Sequence, residues 1–289
     1  MEREQLKMLL DEQRILQRVK LESLILTSVG LRNVSQITIP AELPDAAEMG
    51  RKIDEQVRPQ VMKLQEITDR RAKAVAIQVI KKYMAKLFED VVEASDSYKA
   101  LNLWSDRLGL RSEQSIVRPT VHEIYLFKES AKRRDIARIL NDRKKIRGKV
   151  QKKPDPKMDR IKFAYPEEFD SKWVTSMGKL MGYPDCCVSR YVEDRVKGVN
   201  VEARAAKQLD DKLKKGDKVD TRAYPFCFFY PCEPDCENAI KLGEKCNDKL
   251  VELDSSLGSL YEETLNTNVD VTLHQPALID KHMSELRSI

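Results

Sequence analysis

The chain has 289 residues, of which 41% are hydrophobic and 34% charged, and its formal net charge is +5. This length can bury a sizeable core, as one large domain or as two smaller ones. No apolar run approaches the ~20 residues that a membrane-spanning helix needs. The first 22 residues alternate acidic and basic side chains where a signal peptide would be continuously apolar. The composition argues against membrane insertion and predicts a cytoplasmic protein.

The first part of the chain predicts helices and a few strands. In chain order these are a helix at 3–22, strands at 22–30 and 34–40, helical structure at 53–95, and a strand at 115–127. Pro59 predicts a break or a helix start within the helical segment, and Pro119 predicts an interruption of the last strand. The first part therefore combines a helical region with a small strand element.

A strongly basic helix is predicted directly after these strands. Residues 132–153 read KRRDIARILNDRKKIRGKVQKK, with eleven Lys or Arg against two Asp, so this segment alone carries a net charge of +9. Clustered Lys and Arg side chains contact phosphates, which makes the segment a candidate nucleic-acid surface. RNA is slightly favoured over duplex DNA, because the sequence shows no helix-turn-helix pattern. A solvated helix face is the alternative interpretation. The candidate contact residues are Lys132, Arg133, Arg134, Arg138, Arg143, Lys144, Lys145 and Arg147.

A linker is predicted around Pro154 and Pro156, in the sequence KKPDPK, and all six cysteines follow it. We therefore expect two domains. Residues 1–153 would form the helical region with its strands and the basic helix, and residues 154–289 would form a cysteine-containing helical domain. The predicted fold class is mainly helical α+β.

Prolines and a glycine divide the second domain into predicted helices. The first covers residues 169–180 and ends at Gly182, the second starts at Pro184, and the last long helix starts at Pro234. In this last helix, small and apolar residues from position 236 to position 260 recur every three or four residues, as in a heptad seam. The leucines at 250–260 could pack within the chain or join two copies of it as a homo-oligomer.

The six cysteines fall into two classes. Cys246 lies in the middle of the apolar seam and Cys227 lies among aromatic residues, so both are interpreted as core residues. The other four are predicted near two helix N-termini, where unpaired backbone amides and the helix dipole favour anionic sulfur. These four residues are Cys186, Cys187, Cys232 and Cys236.

Three kinds of chemistry could use these four thiols. The first is a metal centre, with an iron–sulfur cluster favoured over zinc. Adjacent cysteines on one helical turn point about 100° apart, so they would chelate one zinc ion poorly but could reach different iron atoms. The second is a pair of crossed disulfides that staple a structural or binding domain, with the basic helix as its functional surface. The third is a thiol oxidoreductase, in which one thiol attacks a disulfide and a neighbouring thiol resolves the mixed disulfide.

Two motifs resemble a known family. GYPDCCV at residues 182–188 and PCEPDCENAIKLG at residues 231–243 are similar to motifs of an uncharacterised, mostly archaeal family known as domain of unknown function 483. The resemblance covers roughly the C-terminal third of the chain and includes all four cysteines. It implies a site but no reaction. An archaeal source would favour the disulfide interpretation, because thermophilic archaea tolerate intracellular disulfides.

Overall fold

The computed structural model describes residues 2–153 and 160–287 of the chain. The predicted linker at 154–156 lies outside the described residues. Contacts between residues divide the chain into two compact units. Unit 1 comprises Met1–Gly30 and Val34–Ser130, and unit 2 comprises Leu31–Asn33 and Ala131–Ile289.

Unit 1 combines a small antiparallel sheet with several helices. Its helices are α1 (Arg3–Asp11), a π-helical turn (Val19–Ile25) that continues into α2 (Leu26–Ser28), α3 (Ala46–Glu66), α4 (Arg70–Leu87), which continues as a π-helical turn (Phe88–Glu93), and α5 (Asp96–Arg107). Its strands are β1 (Val34–Ile39), β2 (Arg111–Arg118) and β3 (Val121–Phe127), in the order β1-β3-β2. Val34 pairs with Phe127, and Phe127 also pairs with Arg111.

The predicted strand at 22–30 is wrong. Residues 19–28 are helical, and every residue from Val19 to Ser28 is buried. A segment that is buried on all sides shows no one-sided periodicity, so an apolar run of this length does not distinguish a strand from a helix. The π-helical turn packs on β1 and α2 packs on β3, so this segment covers the sheet.

Three other predictions in unit 1 need correction. The helix predicted at 3–22 is interrupted, since α1 ends at Asp11 and residues 12–16 are not helical. The interrupted strand at 115–127 is a hairpin, in which β2 begins at Arg111 and pairs with β3 across the turn at Pro119. Pro59 neither starts nor breaks a helix, since α3 continues through it to Glu66. The helical structure predicted at 53–95 is otherwise confirmed as α3 and α4 with its π-helical turn.

Unit 2 is helical among its described residues. It contains α6 (Lys132–Lys152), α7 (Arg160–Ala164), a 3₁₀ turn (Pro166–Phe169), α8 (Ser171–Met181), α9 (Asp185–Val196), α10 (Val201–Lys214), a 3₁₀ turn (Thr221–Ala223), α11 (Glu237–Leu253) and α12 (Ser256–Arg287). α6 packs on α8, α8 on α9, and both α10 and α11 on α12. The predicted basic helix is therefore confirmed as α6, and it packs within the unit that holds the cysteines.

The aromatic segment after α10 forms part of the core of unit 2. Tyr224 and Phe226 are buried, and α12 holds this segment through two hydrogen bonds. The hydroxyl of Tyr261 donates to the carbonyl of Pro225 at 3.0 Å, and the Asn268 amide donates to the carbonyl of Tyr224 at 3.0 Å. The segment thus leads from α10 to the second cysteine motif along a fixed path.

The predicted long helix from Pro234 through the leucine seam is two helices. α11 ends at Leu253, and Asp254 is extended and accepts a hydrogen bond from the backbone N–H of Ser256 at the start of α12. Leu250 and Leu257 are fully buried within the chain. These two leucines therefore belong to the core of unit 2, and the leucines at 250–260 are divided between α11 and α12.

The mainly helical α+β class is confirmed, with one three-stranded sheet in the part of the chain that the structure describes. Among those same residues, no helix combines the length and the apolar character that crossing a bilayer requires.

Candidate metal centre

The first cysteine pair lies at a sharp junction between two helices. Gly182 ends α8 with φ +78°, a left-handed conformation that glycine adopts without steric cost. The backbone N–H groups of Gly182 and Tyr183 donate to the last turn of α8. Pro184 then precedes α9, so Cys186 and Cys187 lie in the first turn of α9, as the sequence predicted.

The second pair lies in the turn that precedes α11. The backbone N–H of Cys236 donates to the carbonyl of Glu233 at 3.1 Å, which folds the chain around Pro234. Cys236 is the N-cap residue of α11, and its carbonyl accepts hydrogen bonds from Ala239 and Ile240. α11 therefore begins at Glu237, three residues later than predicted, and Cys232 and Cys236 are at either end of the turn.

The four sulfur atoms converge on one point. The Sγ of Cys236 lies 3.6 Å from the Sγ of Cys186 and 3.6 Å from the Sγ of Cys187, and these last two are 3.9 Å apart. With Cys232 included, all four sulfurs lie within 4.8 Å of one another, and all four residues are free thiols. We call Cys186, Cys187, Cys232 and Cys236 the four-cysteine site. The sulfurs form a single group and are not separated into two bonded pairs.

The sulfurs of Cys186 and Cys187 diverge less than an angle of about 100° between adjacent helical side chains suggests. The Cα–Cβ bonds of a helix tilt toward its N-terminus, and no earlier turn of α9 occupies the space beyond its first turn. Two adjacent side chains can therefore extend past the helix end and bring their sulfurs 3.9 Å apart. Four sulfurs about 2.3 Å from one zinc ion, at the corners of a regular tetrahedron, are about 3.8 Å apart. The three separations among Cys186, Cys187 and Cys236, from 3.6 to 3.9 Å, are close to this value.

Burial and nearby donors set the properties of the thiols. Burial raises the pKa of Cys187 above its usual value, although the backbone N–H of Cys232 donates to its sulfur. Burial likewise raises the pKa of Cys232 to about 12. Burial also acts against ionisation of Cys186, but the Asn238 amide, which donates to its sulfur at 3.4 Å, and the neighbouring thiols lower its pKa overall. Of Cys186, Cys187 and Cys232, Cys186 is thus the thiol most readily ionised.

An arginine that the sequence analysis did not identify connects the two halves of the site. Arg204, on α10, donates to the backbone carbonyl of Pro231 at 2.7 Å and to that of Cys232 at 3.4 Å. Its Nε also donates to Asp194 of α9 at 3.0 Å. Both side chains of this ion pair are at least 90% buried. Arg204 therefore fixes the second cysteine motif relative to the helix that carries the first.

Other cysteines and basic residues have different surroundings. Cys246 is fully buried in α11, as expected for a core residue, and Cys227 is half-buried. Of the candidate nucleic-acid residues, Arg143 is only 4% exposed and Arg147 forms an ion pair with Glu167. These two arginines face the protein, so we exclude them from the candidate nucleic-acid surface.

The remaining six basic candidates lie on α6, where they are exposed or half-buried. They are Lys132, Arg133, Arg134, Arg138, Lys144 and Lys145.

Comparison with known proteins supports the resemblance of the two motifs to a family. The chain is 35% identical, over 89 residues, to the uncharacterized protein MJ1106 of Methanocaldococcus jannaschii. This match covers 28% of the chain and 46% of the relative, so the chain spans about half the length of that protein. No solved structure matches the chain.

Residues 117–259 match the model of a family described as protein of unknown function DUF483. This range contains both cysteine motifs and α6. The segment from residue 117 to residue 259, and with it the four-cysteine site, therefore belongs to the DUF483 family.

Proposed function

We propose that this protein binds one metal ion through Cys186, Cys187, Cys232 and Cys236, with zinc as the first candidate. The observation that supports the proposal is the convergence of four sulfurs within 4.8 Å, three of them at separations close to those around a single tetrahedral ion. A four-iron cluster fits less well, because each thiolate then binds a different iron atom and the sulfurs lie around a much larger group. The single-ion proposal thus replaces the iron–sulfur preference drawn from sequence.

The surroundings of the site suit an anionic metal–thiolate group. Two helices of 12 and 17 residues begin at it, and the positive ends of their dipoles favour thiolate charge. The Asn238 amide donates to the sulfur of Cys186, as outer hydrogen bonds do around metal-bound ligands. A bound ion would join the start of α9 to the start of α11, so its role would be to hold these two elements together.

Metal analysis of the purified protein tests this proposal. The protein would be produced in medium supplemented with zinc, iron or cobalt and purified without air, and metal, sulfide and free thiols would be measured per chain. We expect one zinc or cobalt per chain, no sulfide, and cobalt absorption bands typical of a four-thiolate tetrahedron. Four thiols should be protected from alkylation until a chelator is added.

Cysteine variants distinguish specific binding from general thiol affinity. Cys186→Ser and Cys232→Ser should each lose the metal, whereas Cys227→Ser, a half-buried cysteine outside the site, should retain it. Iron with an equal amount of sulfide would show a cluster and overturn the single-ion proposal. Metal-free protein that lacks these four free thiols would show disulfides.

A thiol oxidoreductase is the second candidate, and the lowered pKa of Cys186 favours it. In that case the metal-free protein should exchange disulfides with a small-molecule substrate, and Cys186→Ser should abolish the exchange. If zinc binds with full occupancy and the protein shows no exchange, the metal proposal stands alone.

A further inference from the structure

Five basic side chains form a stripe along α6. At 100° per residue, Arg134, Arg138, Lys145, Lys149 and Lys152 fall within an arc of about 60° around the helix axis. All five are exposed. We call these five residues the basic stripe. At 1.5 Å per residue, the stripe is about 27 Å long.

The opposite side of α6 is fixed to unit 2. Ile136, Ile139 and Arg143 are buried there. The indole N–H of Trp173 donates to the carbonyl of Ile139 at 3.1 Å, and the Nε of Arg147 donates to both carboxylate oxygens of Glu167 at 2.9 and 3.0 Å. These contacts set the rotation of α6 about its own axis and direct the basic stripe away from the packed face.

Few acidic groups neutralise the basic stripe. Arg138 pairs with Asp135, and Lys145 pairs with Asp142, both at 3.1 Å between exposed side chains. Such exposed pairs contribute little and exchange readily for another anion. Within the described residues, Arg134, Lys149 and Lys152 have no ion-pair partner. Their positive charges are therefore available to an external polyanion.

We propose that the basic stripe binds the phosphate backbone of a nucleic acid, without reading its bases. A linear row of cations with about one per helical turn fits a linear row of phosphates. The exposed amide of Asn141 lies on the same side of α6 and adds an uncharged donor. An anionic membrane fits less well, because a membrane-bound helix inserts its apolar face and the apolar face of α6 is buried in unit 2. The proposal does not depend on the metal site.

A binding titration against salt tests this proposal. Fluorescently labelled single-stranded RNA, single-stranded DNA and duplex DNA of one mixed sequence would each be titrated with the full-length protein. If all five cations contact phosphates, affinity should fall about 100-fold for single strands and about 500-fold for duplex between 50 and 200 mM salt. Single-stranded RNA bound more tightly than DNA would identify RNA as the ligand, and equal binding would identify the backbone that they share.

Two triple variants of equal charge supply the control. Arg134, Lys149 and Lys152, each changed to Gln, should reduce the salt effect to about 10-fold, because two phosphate contacts remain. The matched control changes Lys207, Lys215 and Lys245, which are exposed on or next to α10 and α11, to Gln. It should bind as the unmodified protein does.

Three results would overturn the proposal. These are equal loss of affinity in both triple variants, binding that does not respond to salt, and binding to phosphatidylserine vesicles with no binding to any of the three nucleic acids. The substituted residues are exposed, so the variants should keep the helical content of the protein, which circular dichroism checks.

Discussion

The carboxylate of Glu12 in unit 1 is held by several donors at once. The Nε of Arg14 donates to it at 2.7 Å and the backbone N–H of Arg14 at 3.1 Å, while the indole of Trp104 donates at 3.4 Å. The hydrogen bonds from Arg14 are the main reason that the pKa of Glu12 falls to about 2. The ionised form of Glu12 therefore stabilises the folded unit.

We predict that Glu12→Gln lowers the free energy of unfolding by about 1 kcal/mol at pH 7, a value reduced for the partial solvent exposure of the pair. The pKa is depressed on folding, so the stabilisation is fully present above pH 4.5 and is lost as the pH falls toward 2. Urea unfolding at pH 7 and pH 3 should show the difference between the two proteins shrinking at the lower pH. A difference that grows would contradict this assignment.

The control for this prediction is Glu55→Gln. Glu55 pairs with Arg51 on α3, but both side chains are more than 60% exposed. An exposed i,i+4 pair contributes little, so this variant should unfold at the same urea concentration as the unmodified protein at either pH.

Gly243 allows α11 to approach the 3₁₀ turn at Thr221–Ala223. A Cβ atom at position 243 would lie 2.2 Å from the carbonyl oxygen of Arg222, which belongs to the backbone and cannot rotate away. We predict that Gly243→Ala lowers the free energy of unfolding by about 1–3 kcal/mol.

By contrast, Gly148 in α6 has open space around it, so Gly148→Ala should raise the free energy of unfolding by up to about 1 kcal/mol. Thermal unfolding of both variants would check the opposite signs.

Two residues contact the four-cysteine site from outside it, and only one of them could be predicted from the sequence. Asn238 follows Cys236 by two residues inside the second motif, so its place in the first turn of α11 gave a local signal that it could reach a thiol. Arg204 gave no such signal. It lies 28 residues before Cys232 and acts through backbone carbonyls, and sequence periodicity does not report such contacts.

At the scale of elements, Arg204 connects three parts of unit 2: α9, α10 and the loop of the second motif. We predict that Arg204→Lys lowers the affinity for the metal about 10-fold, although all four thiols remain. A lysine ammonium cannot reproduce the fork of the guanidinium, which contacts Asp194 and two carbonyls together. Competition for zinc against a coloured chelator measures the affinity.

Arg190→Lys is the matched control for this element. Arg190 donates to the other oxygen of Asp194 at 3.0 Å, but its side chain is 42% exposed and it belongs to α9 itself. Its replacement should leave the zinc affinity within about twofold. If both variants lost affinity equally, the effect would come from Asp194 and not from the loop that Arg204 holds.

The elements that the sequence predicted well have a strong one-sided pattern or a local stop signal. α6 buries Ile136 and Ile139 on one side, and α8 ends at Gly182, which has a left-handed conformation. The break between α11 and α12 was missed because the apolar spacing continues across it. The signal was present as Asp254 followed by two serines, which are residues typical of a helix start.

At the scale of the whole molecule, the sequence predicted which cysteines belong together but not how their sulfurs are arranged. Proximity to two helix starts selected the four of six cysteines whose sulfurs lie close together. Whether four side chains point to one centre or form two pairs depends on how α9, α10 and the turn before α11 pack, which is a long-range property. The membership of α6 in unit 2 depends equally on distant contacts, such as the one between Trp173 and Ile139.

If the four-cysteine site holds a metal ion, its stabilising effect should be confined to unit 2. An ion that binds only the folded state at 100 times its dissociation constant adds about 2.7 kcal/mol of stability. Amides whose exchange requires the site to open should then exchange up to about 100-fold more slowly. We predict this protection in the first turn of α9 and in residues 232–240, with no change in the β1-β3-β2 sheet of unit 1.

Hydrogen–deuterium exchange with mass spectrometry, with and without zinc, measures this prediction segment by segment. Cys232→Ser should abolish the protection, while Cys227→Ser should preserve it. Protection that also covered the sheet of unit 1 would show that the two units unfold as one and would contradict a locally acting ion. Protection that persisted in Cys232→Ser would place the metal elsewhere. The three remaining thiolates of the four-cysteine site cannot complete the four-ligand tetrahedron of a structural zinc ion.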